Sequence, residues 1–253
     1  MDPVLARVER QFEIAGEAYK FKSSQQVHRR GKFKAVPSAA SYGGGQQRVG
    51  NLKDTAHNRS VIDRHLLNNR DVMNLAGVVD SAFQNAAREL HAEYGRILTS
   101  ICDRDVRVRR NFANSVFAGV TFNFGPQACT VPHTDHLNIP TGWCAVVALG
   151  DFDADEGGHL ILWDLNLMIR FPRGAMIFLP SALLVHSNTM VPDDQRRYSF
   201  IQYTAGGLAR WVECGFRSQK EFLAGGGRFM RTPQQRWEDG LRKFPRWSEW
   251  KHE

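Results

Sequence analysis

The sequence predicts a mainly β protein with flanking helices, an α+β chain built around an antiparallel jelly-roll. Three observations carry that expectation. Between about residues 115 and 212, short apolar and β-branched runs alternate with Gly, Pro and Asp punctuation, the rhythm of hairpin-linked strands rather than of a parallel sheet. Residues 3–20 and 71–102 carry apolar side chains at three- and four-residue spacing, which makes helical stripes in need of a surface to cover. A length of 253 residues with 42% hydrophobic residues is enough for one sizeable core.

Taken in order, Val4, Leu5, Val8, Phe12, Ala15 and Tyr19 define a first amphipathic helix. Residues 22–50 change character, with His28-Arg29-Arg30-Gly31-Lys32-Phe33-Lys34 followed by Pro37 and Gly43-Gly44-Gly45. Such a stretch is expected to bury little and to form a loop or arm, either a solvated linker or a contact to a phosphate backbone. A short helix over 61–67 precedes the long stripe from Val72 to Ile101, which is one helix or two stacked ones. Arg104, Arg107, Arg109 and Arg110 then form a basic cluster that reads as a charged turn, with a phosphate contact as the alternative.

Strands are expected over 116–124, 144–149, 159–163, 167–170, 175–179 and 197–204. Beyond Arg217 the chain is basic and aromatic, with Phe222, Phe229, Trp237, Phe244, Trp247 and Trp250 among arginines, and Thr232-Pro233 is a helix start. These aromatics either pack an extension onto the core or stack on bases. The expected organisation is therefore 1–60 as an N-terminal helix and basic, Gly-rich arm, 61–112 as a helical bracing segment, 113–216 as the jelly-roll core and 217–253 as the extension, with 61–253 one compact domain.

Charge and cysteine usage narrow the setting. Lys and Arg outnumber Asp and Glu by 33 to 26, a net charge of +7 that favours polyanionic partners. Cys102, Cys129, Cys144 and Cys214 show no CxxC spacing and read as reduced thiols, the last three in or beside strands, which implies an intracellular protein, nuclear or cytosolic. No apolar leader and no membrane-length apolar run is present in the sequence.

The chemistry is concentrated in His133-Thr134-Asp135, His186 and Arg197-Tyr198-Ser199. If residues 131–138 form a strand edge or a strand-to-loop junction, positions i and i+2 put His133 and Asp135 on one side. His186, after the strand over 175–179, would complete two imidazoles and a carboxylate. That set occupies one face of a divalent iron and leaves other positions open. Strand alternation puts Arg197, Ser199 and Ile201 on one side, and a guanidinium beside a hydroxyl suits a carboxylate co-substrate. Arg196 competes for that role, but the Arg-x-Ser pattern and strand parity favour Arg197.

These residues, with Gly157-Gly158-His159-Leu160, resemble the Fe(II)/2-oxoglutarate dioxygenases, whose core is a double-stranded β-helix. More narrowly, Thr121-Phe122-Asn123-Phe124-Gly125-Pro126, Gly142-Trp143-Cys144, His186-Ser187-Asn188 and Arg197-Tyr198-Ser199-Phe200 resemble the compact fungal TET/JBP-type enzymes that oxidise methylated bases in DNA. The resemblance, spanning about residues 41–216, implies His133, Asp135 and His186 as iron ligands. It implies Arg197, assisted by Ser199, as the partner of 2-oxoglutarate, with O2 as the oxidant. Asn123 is similar in placement to an Asn that touches the co-substrate in AlkB-type demethylases, though a strand Asn bonded to backbone is the simpler alternative.

The implied reaction is oxidation of 5-methylcytosine in DNA to 5-hydroxymethylcytosine and further, by a monomer that flips its base out of the duplex. Asn138 and Tyr203 lie where relatives read the base, though their spacing does not align cleanly. Arg29, Arg30, Lys32, Lys34 and Gln46, with Gln47, are the expected duplex contacts. An N6-methyladenine or other N-methyl demethylase is the alternative on the same scaffold; a protein hydroxylase and a catalytically silent DNA-binding relative are the others.

Overall fold

The stripe at the start of the chain is a helix because its apolar positions fall on one side: Leu5, Val8, Phe12, Ala15 and Tyr19 are all buried. The computed structural model describes residues 2–246 and 248. In chain order its elements are α1 (Asp2–Ala18), β1 (Lys34–Ser41), β2 (Gly50–Asn51), α2 (Ala56–Ile62), α3 (Arg70–Ala86) and α4 (Arg88–Arg104). The strand-rich half follows with β3 (Gly119–Phe124), β4 (Cys144–Leu149), β5 (Leu160–Leu162), β6 (Leu167–Ile169), β7 (Met176–Leu179), β8 (His186–Asn188) and β9 (Tyr198–Tyr203). Three helices close the described chain, α5 (Gly206–Glu213), α6 (Gln219–Ala224) and α7 (Pro233–Arg242).

Local chemistry sets the helix boundaries. Thr55 caps α2 by accepting from the Asn58 N–H, and Asn69 caps α3 by accepting from those of Asp71 and Val72. The long stripe resolves into two helices at Ala87, whose backbone leaves the helical region (φ −149°, ψ 69°). Thr232 and Gln235 form a reciprocal capping box at α7 with Pro233 in the first turn, as the sequence predicts.

The strands form two antiparallel sheets, a six-stranded one in the order β2-β1-β3-β9-β4-β7 and a three-stranded one in the order β6-β5-β8. The expected jelly-roll with helices on one outer face is what the chain forms. In the larger sheet Phe122 stands opposite Phe200 and Phe200 opposite Val147, and this row belongs to the apolar cluster shared with α1, α3 and α4. Phe12 packs its ring on Phe122 at 5.6 Å, edge to face, and on Tyr198 at 6.1 Å. The next row, Asn123 opposite Ser199 and Ser199 opposite Ala148, points the other way, toward the smaller sheet.

Three expectations are corrected. Residues 22–50 are more than an arm, because Lys34–Ser41 forms β1, paired with β3 from Lys34 opposite Phe124 to Ala39 opposite Gly119. Its small side chains bury Val36, Ala39 and Ala40 against the core despite the Pro and Ser that made the stretch look unstructured. Of the two forms expected for residues 131–138, the strand edge is not formed: the segment meets β8 only through the single bridge of His133 with His186, and Asn138 bridges Ala205 beyond the end of β9. Cys214 follows the helix α5 rather than a strand, and all four cysteines are free thiols.

The basic cluster after α4 is held locally, with Arg107 on Asp105 and Arg109 on Asp63. In the C-terminal extension Phe244 packs on Trp143 at 5.5 Å, and Arg236 lies 4.9 Å from the Phe229 ring centre within the extension itself. Trp247 and Trp250 lie outside the described residues. Among the described residues no helix is long and apolar enough to cross a membrane.

Candidate metal centre

His133 and His186 are brought together by a reciprocal pair of backbone hydrogen bonds, 3.1 Å from the His133 N–H to the His186 carbonyl and 3.0 Å in return. The bridge extends the smaller sheet by one residue beyond β8. Asp135 is fixed by its own N–H, which donates to the Ser181 carbonyl at 2.7 Å. One donor atom from each of the three side chains lies within 4.8 Å of the others. Asp135 Oδ1 is 3.9 Å from His133 Nε2, and Oδ2 is 3.9 Å from His186 Nε2.

The tautomers follow from neighbouring carbonyls. His133 Nδ1 lies 2.8 Å from the Val131 carbonyl and His186 Nδ1 2.9 Å from the Leu184 carbonyl. A carbonyl only accepts, so each Nδ1 carries the proton and each Nε2 presents its lone pair toward Asp135, the arrangement a metal-binding imidazole needs. Burial, reinforced by His186, pushes the His133 pKa down to about 4, which favours the neutral, ligating form. Burial pushes Asp135 up, but Arg30 above all, together with the two imidazoles, holds it below the usual carboxylate range.

Arg197 is the second half of the site. It is 3% exposed, and its Nη1 donates to the Ala128 carbonyl at 2.7 Å. Its Nε is buried without a partner, and among the described residues no carboxylate pairs with the guanidinium. Burial alone lowers its pKa to about 10, so the group remains a cation, buried and uncompensated. Its backbone is pinned by the Pro126 carbonyl, which accepts from the Arg197 N–H at 2.7 Å. Gly158, at φ +72°, makes room beside it: a Cβ there would lie 2.6 Å from the Phe152 ring and 3.4 Å from Arg197 Cδ. Arg196 points outward to Glu13 at 3.4 Å, and of the two arginines Arg197 is the one that lines the pocket.

The triad and Arg197 line one pocket. Asn123 and Ser199 line it too, joined by a 2.9 Å hydrogen bond from Asn123 Nδ2 to Ser199 Oγ. Asn138 and Tyr203 are also at its wall, Asn138 donating to Ser181 Oγ at 3.0 Å.

Several lining residues were not named as site residues by sequence reasoning, Thr121, Cys144, Val146, Leu160 and Asn188, and Arg30 was named for a different role. Strand parity could have found Thr121 and Asn188, two positions from Asn123 and His186. For Arg30 the sequence held no such signal. Expected to contact a duplex, it turns inward instead, its Nη2 donating to Asp135 Oδ1 at 2.5 Å. Arg29 donates to the Thr134 carbonyl at 3.1 Å, while Lys32 and Gln46 are exposed and not among the residues that line the pocket. A buried carboxylate left without a partner is costly, and the charge-assisted bond from Arg30 satisfies it.

No protein-family model and no curated protein matches this sequence. In fold the chain is similar to NgTET1, solved in complex with 5mC DNA, with a TM-score of 0.55 at 14% identity over 81% of this chain and 69% of that one. The two share a fold. A viral collagen prolyl hydroxylase, vCPH from Paramecium Bursaria Chlorella virus-1 in its 2OG complex, matches 78% of this chain and 90% of its own at 14% identity. Its TM-score of 0.32 is too low to bear on the architecture.

Proposed function

We propose that the protein is an Fe(II)- and 2-oxoglutarate-dependent dioxygenase that oxidises the methyl group of 5-methylcytosine in DNA to 5-hydroxymethylcytosine. The observation that carries the reading is Arg197, a buried guanidinium without a counter-charge in the same pocket as two imidazoles and a carboxylate. An orphaned cation of this kind fits an anionic co-substrate, and the His-Asp-His donor set fits iron(II) with open positions. His133, Asp135 and His186 would hold the metal. Arg197 would take the distal carboxylate of 2-oxoglutarate through its planar fork. Since Ser199 Oγ already accepts from Asn123, its own proton is left to donate to that carboxylate.

When bound, iron(II) and 2-oxoglutarate supply the oxidation: dioxygen is consumed, the co-substrate loses carbon dioxide to become succinate, and one oxygen atom enters a methyl C–H bond. The chain's own part is placement and exclusion of water. Val146, Leu160 and Ile201 are apolar walls of the pocket. Asn138 and Tyr203 offer polar groups for the base edge, and the pocket could oxidise the resulting alcohol again.

DNA as substrate is supported by the net charge of +7 and by the likeness in fold to NgTET1. The triad side chains are only 7–11% exposed, so a stacked base could not present its methyl there and must be flipped out. Arg29, Lys32 and Gln46 remain exposed for contact with the duplex.

The test is succinate release with iron(II), 2-oxoglutarate and methylated duplexes, followed by mass spectrometry of the nucleosides. Hydroxymethylcytosine that disappears in His133→Ala supports the reading. Formaldehyde with N6-methyladenine loss would reassign the substrate, and DNA binding without succinate from any methylated duplex would make the protein a silent relative.

A further inference from the structure

The turn that carries Arg30 is stitched onto the metal loop at several points. His28 and Gly31 close the turn with reciprocal backbone hydrogen bonds of 3.1 and 3.0 Å, and the Arg30 carbonyl accepts from the Val131 N–H at 2.8 Å. Gly31, at φ +149°, sits so close to the chain that a Cβ would lie 2.6 Å from the Cys129 carbonyl oxygen. Only glycine lets the turn approach this far. The result is the 2.5 Å hydrogen bond from Arg30 Nη2 to Asp135 Oδ1, while Arg29 Nη2 stays 3.7 Å from the same oxygen. Among the described residues Oδ2 accepts no hydrogen bond.

We propose that Arg30 is a positioning residue for the metal centre: it engages one oxygen of Asp135 from outside the sheets, leaving the other to meet the ion, so that the carboxylate ligates through a single oxygen. The inference rests on the reading of His133, Asp135 and His186 as metal ligands. A charge-assisted bond to one oxygen opposes the rotation by which the carboxylate would offer both equally. Hydrogen bonds of this kind to a ligand change metal affinity by about 10–100-fold.

Charge complicates a simple deletion, because removing a cation also removes repulsion toward the ion. The comparison is therefore between two neutral variants of the full chain, Arg30→Gln, which keeps an N–H donor, and Arg30→Ala, which does not. The probe is Co(II), followed by its visible absorption and by titration. Arg30→Gln is expected to keep the wild-type band shape. Arg30→Ala should change it, as Asp135 turns to bind through both oxygens or neither, and should bind Co(II) about tenfold more weakly than Arg30→Gln.

Gly31→Ala, which keeps every charge but lifts the turn, should change the band shape in the same direction as Arg30→Ala. If Arg30→Ala does not fold, Arg30→Met serves as the neutral variant without a donor. Coincident spectra and affinities for the Gln and non-donor variants overturn the role of Arg30. Equal Co(II) uptake by wild type and His133→Ala overturns the metal centre itself, which is a separate result.

Discussion

Phe122 and Asn123 are neighbours in β3, yet they belong to opposite faces of the larger sheet. Toward the helices the sheet shows Phe122, Phe200 and Val147, all fully buried among aromatic and aliphatic side chains. Toward the smaller sheet it shows Asn123 and Ser199, with Arg197 beside them, buried as deeply but polar. The first face is packed for stability. The second lines the pocket and keeps a buried cation with no counter-charge among the described residues, a feature that costs stability. One sheet thus separates an apolar, closely packed face from a polar, pocket-lining one.

That contrast can be broken or sharpened by mutation. The largest effect is expected at the donors: His186→Ala or Asp135→Ala should abolish metal uptake by calorimetry and leave no measurable succinate, while the thermal midpoint hardly falls. On the helix side the pattern should invert. Phe200→Ala creates a cavity and is expected to cost about 3–5 kcal/mol of stability by denaturant titration, with co-substrate affinity retained in the protein that remains folded.

Arg197→Leu separates the two faces most clearly. Removing one partner of a buried charge pair costs about 2–5 kcal/mol in binding, so 2-oxoglutarate affinity should fall by at least about thirtyfold. The ligand-free protein should be as stable as wild type or more so, because an uncompensated buried cation is gone. A loss of stability of several kcal/mol in Arg197→Leu would show that the guanidinium serves the fold instead. The smallest effect is expected for Asn123→Ala, which removes one neutral hydrogen bond to Ser199, worth about 1 kcal/mol, and should raise 2-oxoglutarate KM about fivefold.

Much of this division is legible in sequence because a strand has a period of two. The alternation in 197–204 puts Arg197, Ser199 and Ile201 together, and the structure keeps them on one pocket wall. His133, Asp135 and His186 could be named as a set because few other chemistries need those residue types, and their donors do converge. What the sequence misplaced were segments whose local composition opposes their role. Lys34–Ser41, with Pro37 and two serines, has the composition of a loop and becomes β1 because β3 offers an unpaired edge. Residues 131–138 have the alternation of a strand but meet the sheets only at single bridges.

Arg30 shows the same limit from the functional side. Its neighbours made it part of a basic arm, but it lies 105 residues from Asp135 in sequence, and no local pattern reports a contact at that range. By itself the sequence determined the residue types able to hold a metal and a carboxylate, the helical stripes and the strand parity, since these depend on side-chain chemistry and short repeat lengths. The tertiary structure alone decided which distant segments close the site: the turn carrying Arg30, the Gly158 gap beside Arg197 and the bridge joining His133 to His186. Those contacts depend on how long stretches of chain pack against one another, and packing acts on proximity in space rather than order in sequence.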